Sequence, residues 1–511
     1  MTDYDAIVVG SGAGGLAASV RIARNDHSVL LLEATPGLGG CLRPFEKAGY
    51  TFDMGLHYVG ELGEGEKFWE ALNELGLLDR IEFIELDPEA IDRYVFPDFE
   101  LRLCKGKQRF KEQLIQLFPK EASGIEKYFG IYEKVTRASE SFMDIEARPL
   151  QLLGWVVRNP VMLRYGRVPY QALLDTVTSD IRLQTALAAP WFDFLLPPER
   201  AAVSYGVGTW YHYLSGGYYP RGGSRALRDA FVDELEQRGA EVRTSAGASS
   251  IDRRNEGFLV TFAGGKQATS RVVVSNVNPV VTFGQLVNPN LVPSGVAKKA
   301  KGLRPSASVF GLLIGTDLDL PALGVGSGNL VPYAGYDVNK IFAATMAADS
   351  PRVSDCFFVN SPSVRDPAAG LAPPGHHSLE VLAGASYAAF ERWADLAAAD
   401  RGEEYEALVA ELSDQLVSTL ERFIPQLSRH LEFVEVITPL TLARGIGLVE
   451  GGIYGPEVTP DQMGPARFPD GRCGIDGLFL AGAGTKGSSV FYSTLSGVQA
   501  GRKAVSYLTS Q

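Results

Sequence analysis

Residues 4–9 form a mostly apolar run, and Gly10-Ser11-Gly12-Ala13-Gly14-Gly15 follows it directly. Residues 16–23 then read as a helix, and a second apolar run, 28–32, stops at Glu33. The order predicts strand, tight turn, helix and strand. Further along, Ala226, Leu227, Ala230, Phe231 and Leu235 recur at the spacing of one helix face, which predicts a helix over 224–238 ended by Gly239. Residues 257–262 and 271–275 read as strands around a Gly264-Gly265 turn. Near the other end, 477–481 reads as a buried strand. A second glycine turn, 482–487, follows it, and then a helix with Ser493 or Thr494 as its N-cap.

These elements fall in three separated stretches, 1–60, 216–287 and 438–511, which read as one discontinuous nucleotide-binding domain. The stretches between them differ. Residues 61–215 are helix-rich and aromatic, with breaks at Pro160, Pro169, Pro190 and Pro197-Pro198. Residues 288–437 mix strands, such as 306–314, with a long helix around 403–423. Together they predict a substrate domain inserted twice. A chain of 511 residues is long enough for two domains or more.

Charge and cysteine usage narrow the picture. The net charge is −12 with no long basic run, which gives nucleic-acid binding no electrostatic support. Cys41, Cys104, Cys356 and Cys473 are far apart and form no CxxC, which suggests a reduced compartment and no metal site. The first strand begins almost at Met1 and no clean apolar segment of about 20 residues occurs. The expectation is a cytoplasmic protein, at most peripheral on a membrane.

The first glycine turn carries specific chemistry. Gly10 permits the tight turn, Gly12 lets backbone approach a pyrophosphate, and Gly15 lets helix and strand pack closely. The helix start at Ala13 and Gly14 offers unpaired N–H groups to phosphates. Glu33, beside Ala34, stands where a carboxylate meets ribose hydroxyls. A second glycine turn and helix start more than 450 residues away suits a long cofactor, with one helix end on the pyrophosphate and the other on a flavin edge.

Several further segments are distinctive: Gly39-Gly40-Cys41, Asp53-Met54-Gly55-Leu56-His57-Tyr58-Val59-Gly60, residues 212–223, residues 478–482 and residues 495–501. On these the chain resembles the FAD-dependent amine oxidase and phytoene desaturase superfamily over most of its length. Within it, the retinol saturase and carotenoid isomerase branch is the most similar. The resemblance implies an α/β fold: a Rossmann-like, glutathione-reductase-like FAD domain carrying an inserted α+β substrate domain. It implies non-covalent FAD, held by Gly10, Gly12, Ala13, Gly14, Gly15, Glu33, Ala34, Gly39, Gly40, Cys41, Met54, Gly55, Leu56, Gly482, Gly484, Ser493, Thr494 and Leu495. It also places Ala248 on the adenine, with Asn276 closing that side. Two departures stand out. Cys41 occupies a position that is often arginine, and Gly484 one that is usually acidic, with Thr485 as a substitute for the acid.

The implied activity is reduction of a C–C double bond in an apolar polyene or unsaturated lipid. Desaturation and cis–trans isomerisation are the close rivals, and amine oxidation or non-catalytic flavin or lipid binding are the distant ones. The electron donor is left open: FAD should fill the one complete dinucleotide unit that is visible, so NAD(P)H would bind only transiently, or a ferredoxin or quinone would serve. His57 and Tyr58 are candidate proton donors, followed by His212 and Tyr219. Trp155, Trp191, Phe192, Phe194, Trp210 and Tyr211 suit either a substrate tunnel or ordinary core packing. Residues 152–157, flanked by Arg158 and Arg164, form a candidate membrane-facing segment. His376-His377 sit in an expected surface turn without further metal ligands.

Overall fold

The computed structural model describes residues 2–143, 149–353 and 355–510. Two seven-stranded sheets organise them. In the first, Tyr4–Val9 lies at the centre. Val29–Leu32 and then Glu241–Arg243 stand on one side, and Lys266–Ser275 and then Leu478–Leu480 on the other, all parallel. The register runs Val273 to Ile7 to Leu30. Residues 6–9, 29–32, 272–275 and 478–480 of these strands are buried on both faces, which is why most of them read as apolar runs. Lys266–Ser275 is longer than the sequence suggested. Its polar first half pairs antiparallel with Gly257–Phe262, which pairs in turn with Ala248–Arg254.

The helices Ala13–Ala23, Ser224–Gln237 and Val490–Thr509 share one apolar core on one face of this sheet. The first and last pack backbone to backbone. A Cβ on Gly497 would overlap the Gly14 carbonyl oxygen, and one on Gly501 would lie 2.7 Å from Arg21 Cβ. The small residues of 495–501 are therefore explained by helix packing. The C-terminal helix begins at Val490, and Ser489 caps it by accepting the Tyr492 N–H. The expected caps Ser493 and Thr494 lie inside its first turns, because the apolar pattern that signals the helix starts at Val490 and Phe491.

The second sheet is ordered Leu431–Ile437, Ser308–Thr316, His377–Ala385, Phe357–Asn360, Asn329–Pro332, Asp92–Val95 and Glu100–Leu103. All its pairs are antiparallel except Asn329–Pro332 with Asp92–Val95. Its strands come from both intervening stretches. Phe310, Leu312 and Ile314 face the core under the helix Gly402–Leu420. Val309 and Leu313 face the other way, into a large aromatic core shared with the helices of residues 122–214. The molecule is an α/β nucleotide-binding fold carrying a second, largely antiparallel sheet. Among the described residues no helix is long and apolar enough to cross a membrane.

Candidate functional site: a dinucleotide cleft opening into an apolar chamber

The glycine turn is shaped by sterics. Gly10 has φ +92°, open to glycine at no cost. A Cβ on Gly15 would overlap the Gly10 carbonyl oxygen, so the helix starts hard against the turn. Gly12 caps that helix without a side-chain hydrogen bond, leaving its first N–H groups for an anion. A Cβ on Gly40 would lie 3.2 Å from Gly12 Cα, so the Gly39-Gly40 loop passes directly beside the turn.

Glu33 is buried behind the turn. Its Oε2 accepts from the Ser11 N–H (3.0 Å) and hydroxyl (2.6 Å), and its Oε1 from the Thr35 N–H (2.8 Å) and hydroxyl (2.9 Å). Burial opposes ionisation, but these bonds outweigh it and hold the carboxyl below its ordinary range. The Thr35 hydroxyl also stands 2.8 Å from Gly37 O. When it donates there, an Oε1 lone pair is open to a ribose hydroxyl.

One cavity of about 800 Å³ runs from this region. Of the expected cofactor residues, Gly10, Gly12, Ala13, Gly14, Glu33, Ala34, Gly39, Gly40, Cys41, Met54, Gly55, Leu56, Ala248, Asn276, Gly482, Gly484 and Ser493 line it. Burial pushes the Cys41 thiol up to about 11, so it stays protonated there. Gly15 lies behind the lining, in the helix–strand contact. Four expectations need correction. Asn276 stands between the two glycine turns rather than on the adenine side: Cβ atoms on Gly14 and Gly482 would lie 2.6 and 2.5 Å from its Oδ1, a buried atom without a hydrogen-bond partner. Thr494 is buried in the helix, off the cavity, and Leu495 lines a separate recess with Lys67, Glu70 and Gln499. Both misplacements follow from the earlier helix start. Thr485 does not replace the missing acid, because its hydroxyl is buried and donates to Gly482 O at 2.7 Å. At position 484 a Cβ would lie 2.5 Å from Pro279 Cγ, so an acidic side chain has no room.

This second turn is held from behind by Arg467, which the sequence did not single out. The guanidinium is fully buried and donates to the carbonyls of Pro456, Glu457 and Gln462, with Ala483 O at 3.4 Å. Among the described residues no carboxylate pairs with it, and burial lowers its pKa to about 10.

Beyond the turns the cavity becomes apolar. Phe192, Tyr213, Val309, Leu313, Phe358 and Leu382 form much of its wall. Trp191, Phe194 and Trp210 are core residues instead, and of the aromatic cluster only Phe192 reaches the cavity. The proton-donor candidates divide in the same way. His57 faces the cavity, with Nδ1 2.8 Å from Glu380 Oε2. Tyr58 also faces it, stacked on Tyr213 at 4.3 Å, and donates to Asp92 Oδ2 at 3.0 Å. His212 is locked: Nε2 accepts the Gly60 N–H at 2.9 Å, which puts its proton on Nδ1, 2.9 Å from Glu61 Oε1. Tyr219 is not on the cavity. It is fully buried and donates to Asp53 Oδ2 at 2.6 Å, so its hydroxyl braces the segment that carries His57. The missed residue is Asp193, which lines the cavity from the turn Ala189–Asp193. The signal for it was a lone acid inside the apolar run 186–197.

Comparison with known proteins agrees with this geometry. The model of the family described as flavin-containing amine oxidoreductase matches residues 13–505. The all-trans-retinol 13,14-reductase of Homo sapiens is 28% identical over 513 residues, covering 94% of this chain and 82% of the relative. The chloroplastic prolycopene isomerase of Arabidopsis thaliana is 25% identical, covering 94% of this chain and 78% of its own. Among solved structures, an oxidoreductase from Methanosarcina mazei aligns with TM-score 0.64 at 15% identity, covering 98% of this chain and all of that one. Cyclohexylamine oxidase from Brevibacterium oxydans aligns with TM-score 0.62 at 14% identity, covering 99% of both chains. The glycine cradle, the opposed second turn and the match along nearly the whole chain lead to one conclusion: this chain belongs to the flavin-containing amine oxidoreductase family.

Proposed function

We propose that the protein is an FAD-dependent oxidoreductase that reduces a C–C double bond in a long apolar polyene or unsaturated lipid. The observation that carries this reading is the apolar chamber continuous with the dinucleotide cleft. Relatives named retinol reductase and prolycopene isomerase, each aligned over 94% of this chain, support it. The rival reading, amine oxidation, expects an aromatic cage and often a lysine at the reacting end of the flavin; the aromatic walls suit both readings, and among the described residues no lysine lines this cavity.

The residues fit FAD. The Gly12 cap and the uncapped helix start would take the pyrophosphate, and Glu33 the adenosine ribose. Gly247 and Ala248 would flank the adenine, and the turn 482–484 with Ser489 and Val490 the flavin. The bound, reduced flavin supplies a hydride. The chain holds the alkene in place and excludes water: Phe192, Phe358 and Tyr213 form flat walls for a conjugated chain, with Phe192 and Phe358 stacked at 6.1 Å. His57 and Tyr58 stand at the same chamber as proton-bearing groups.

We propose that substrate enters from a membrane surface. The helix Pro149–Arg158 exposes Leu150, Leu153 and Val157, and Val161–Tyr165 exposes Leu163, each more than three-fifths exposed. Arg158 and Arg164 lie on the same two helices. NAD(P)H is proposed as a transient donor.

The test is anaerobic incubation of the reduced holoenzyme with a polyene. Loss of one conjugated double bond supports the reading. An unchanged product mass with an altered spectrum indicates an isomerase, and reduction of oxidised flavin by substrate indicates a desaturase or oxidase. Flavin that no substrate or reductant reaches indicates a binding protein.

A further inference from the structure

We infer that Asp193 is the catalytic acid of the chamber, the group that gives a proton to substrate carbon, with Tyr58 and Asp92 arranged behind it. The inference rests on the alkene-reduction reading above.

Asp193 stands on a turn between two buried aromatic residues, Phe192 and Phe194, is itself half-buried and lines the apolar chamber. Among the described residues it forms no salt bridge, and its carboxyl has one hydrogen-bond neighbour, the Tyr58 hydroxyl, 3.5 Å from Oδ2. That hydroxyl has a single proton, and it goes the other way, to Asp92 at 3.0 Å. Asp92 is far better solvated by the protein. It accepts from Tyr58, from Tyr94 (2.9 Å) and from Asn329, and Arg365 in turn donates to Asn329. Two carboxylates joined by one phenol, Asp92 fully buried and Asp193 half-buried at the wall of an apolar chamber, do not both ionise. The negative charge belongs on Asp92, with three donors. The proton belongs on Asp193, with none. The phenols of Tyr94, Tyr213, Tyr333 and Tyr454 lie near enough to feel the Asp193 charge, and burial keeps all four neutral. Burial raises both carboxyls, and with the charge of its neighbour it drives Asp193 further above the ordinary range than Asp92, whose donors oppose it, which agrees with this division.

A neutral carboxylic acid at the wall of an apolar chamber transfers its proton to the ligand there, because the Tyr58 oxygen, its hydrogen-bond partner at rest, already carries a proton. In the step proposed, the alkene π bond breaks as a hydride from the reduced cofactor forms a C–H bond at one carbon. The O–H bond of Asp193 breaks, and its proton forms the C–H bond at the other carbon. The cofactor is oxidised by two electrons, the alkene is reduced by two, and Asp193 is left as a carboxylate until solvent reprotonates it after product release. Tyr58 is a positioning residue here: its oxygen receives the Asp193 O–H in the resting enzyme and orients the carboxyl.

The test uses Asp193→Asn and Tyr58→Phe in the holoprotein. The first readout is infrared absorption without substrate. A protonated-carboxyl C=O band that shifts in D2O is expected in the wild type, lost in D193N and moved in Y58F. The second is anaerobic reoxidation of the reduced enzyme by a polyene in D2O. The wild type should place solvent deuterium on both carbons of the former double bond, one from the exchanged cofactor N–H and one from the Asp193 O–H, and D193N should be slower by about 10² or more, the usual contribution of a general acid. FAD absorbance and affinity should match wild type in both variants. A D193N enzyme as fast as an active wild type, or an unchanged carboxyl band in D193N, overturns the assignment alone. A wild type that reduces no polyene overturns the functional reading and this assignment with it. Should D193N not fold, an unmoved band in Y58F still overturns the arrangement.

Discussion

Gly497 tests whether packing of the first and last helices sets the phosphate cradle. In Gly497→Ala the new methyl would overlap the Gly14 carbonyl oxygen and lie 2.8 Å from Ala17 Cβ and 2.9 Å from the Gly14 carbonyl carbon. Ordinary carbon contacts are about 3.5–4.0 Å, so relief needs the helices to part on the order of 1 Å. The obstructing atoms are the Gly14 backbone and the rigid Ala17 methyl, on a helix whose Gly12–Gly14 start lines the cofactor cleft. Overpacking of this kind costs about 1–3 kcal/mol. Alanine in a helix interior returns up to about 1 kcal/mol of that. Moving the N–H groups off a phosphate weakens charge-assisted bonds, each contributing about 1.5–3 kcal/mol. We therefore expect FAD affinity to fall by about tenfold or more, measured by fluorescence titration of the apoprotein, with a lower holoprotein Tm. Gly130→Ala, in the helix Ala122–Met143 with open space at its Cβ, is the control and should hold or raise Tm. If G497A binds FAD with wild-type affinity and melts with the wild type, the cradle does not depend on this contact and the reasoning fails.

Other predictions follow from the same geometry. Glu33→Gln should weaken FAD binding by about tenfold, the loss of one charge-assisted bond of about 1.5 kcal/mol, read by the same titration. The sign with pH is set by the lowered folded pKa of Glu33: its stabilisation is complete above the unfolded carboxylate value and lost as pH falls through the folded one, so acid melting should be less steep in E33Q. Tyr219→Phe should lower stability by about 1–3 kcal/mol, because it strips a donor from buried Asp53. Its turnover should stay within a few-fold of wild type, and a loss as large as that of D193N would return Tyr219 to the catalytic set. Leu150→Asp with Leu153→Asp should abolish cosedimentation with anionic lipid vesicles while leaving FAD content unchanged; equal binding by wild type and variant would remove this face from the substrate route.

The nucleotide-binding half was legible because its physics is local. Residues 4–33 carry strand, turn, helix and acid in one continuous stretch, and parallel strands buried on both faces announce themselves as apolar runs. The second sheet was much less legible. Asp92–Val95 pairs with Asn329–Pro332 more than 230 residues away, and strands of four residues carry little periodicity. The site was misread where sequence proximity stood in for direction. Tyr219 lies beside a glycine turn yet points into the core, and Leu495 lies near the cofactor helix start yet faces away from the cleft. Asp193 went unread because the apolar run around it looked like core, and its neighbours Phe192 and Phe194 are indeed buried. Only the packed fold shows that its carboxyl reaches the chamber, one phenol away from a second carboxylate.

The most direct test of the account is a single-turnover experiment. Holoenzyme is reduced chemically, freed of oxygen and mixed with an all-trans polyene, and flavin absorbance and product mass are followed together. The account predicts that one flavin is reoxidised for each product molecule, and that the product is heavier by two hydrogens and shorter by one conjugated double bond. Flavin that stays reduced while the polyene keeps its mass would contradict it.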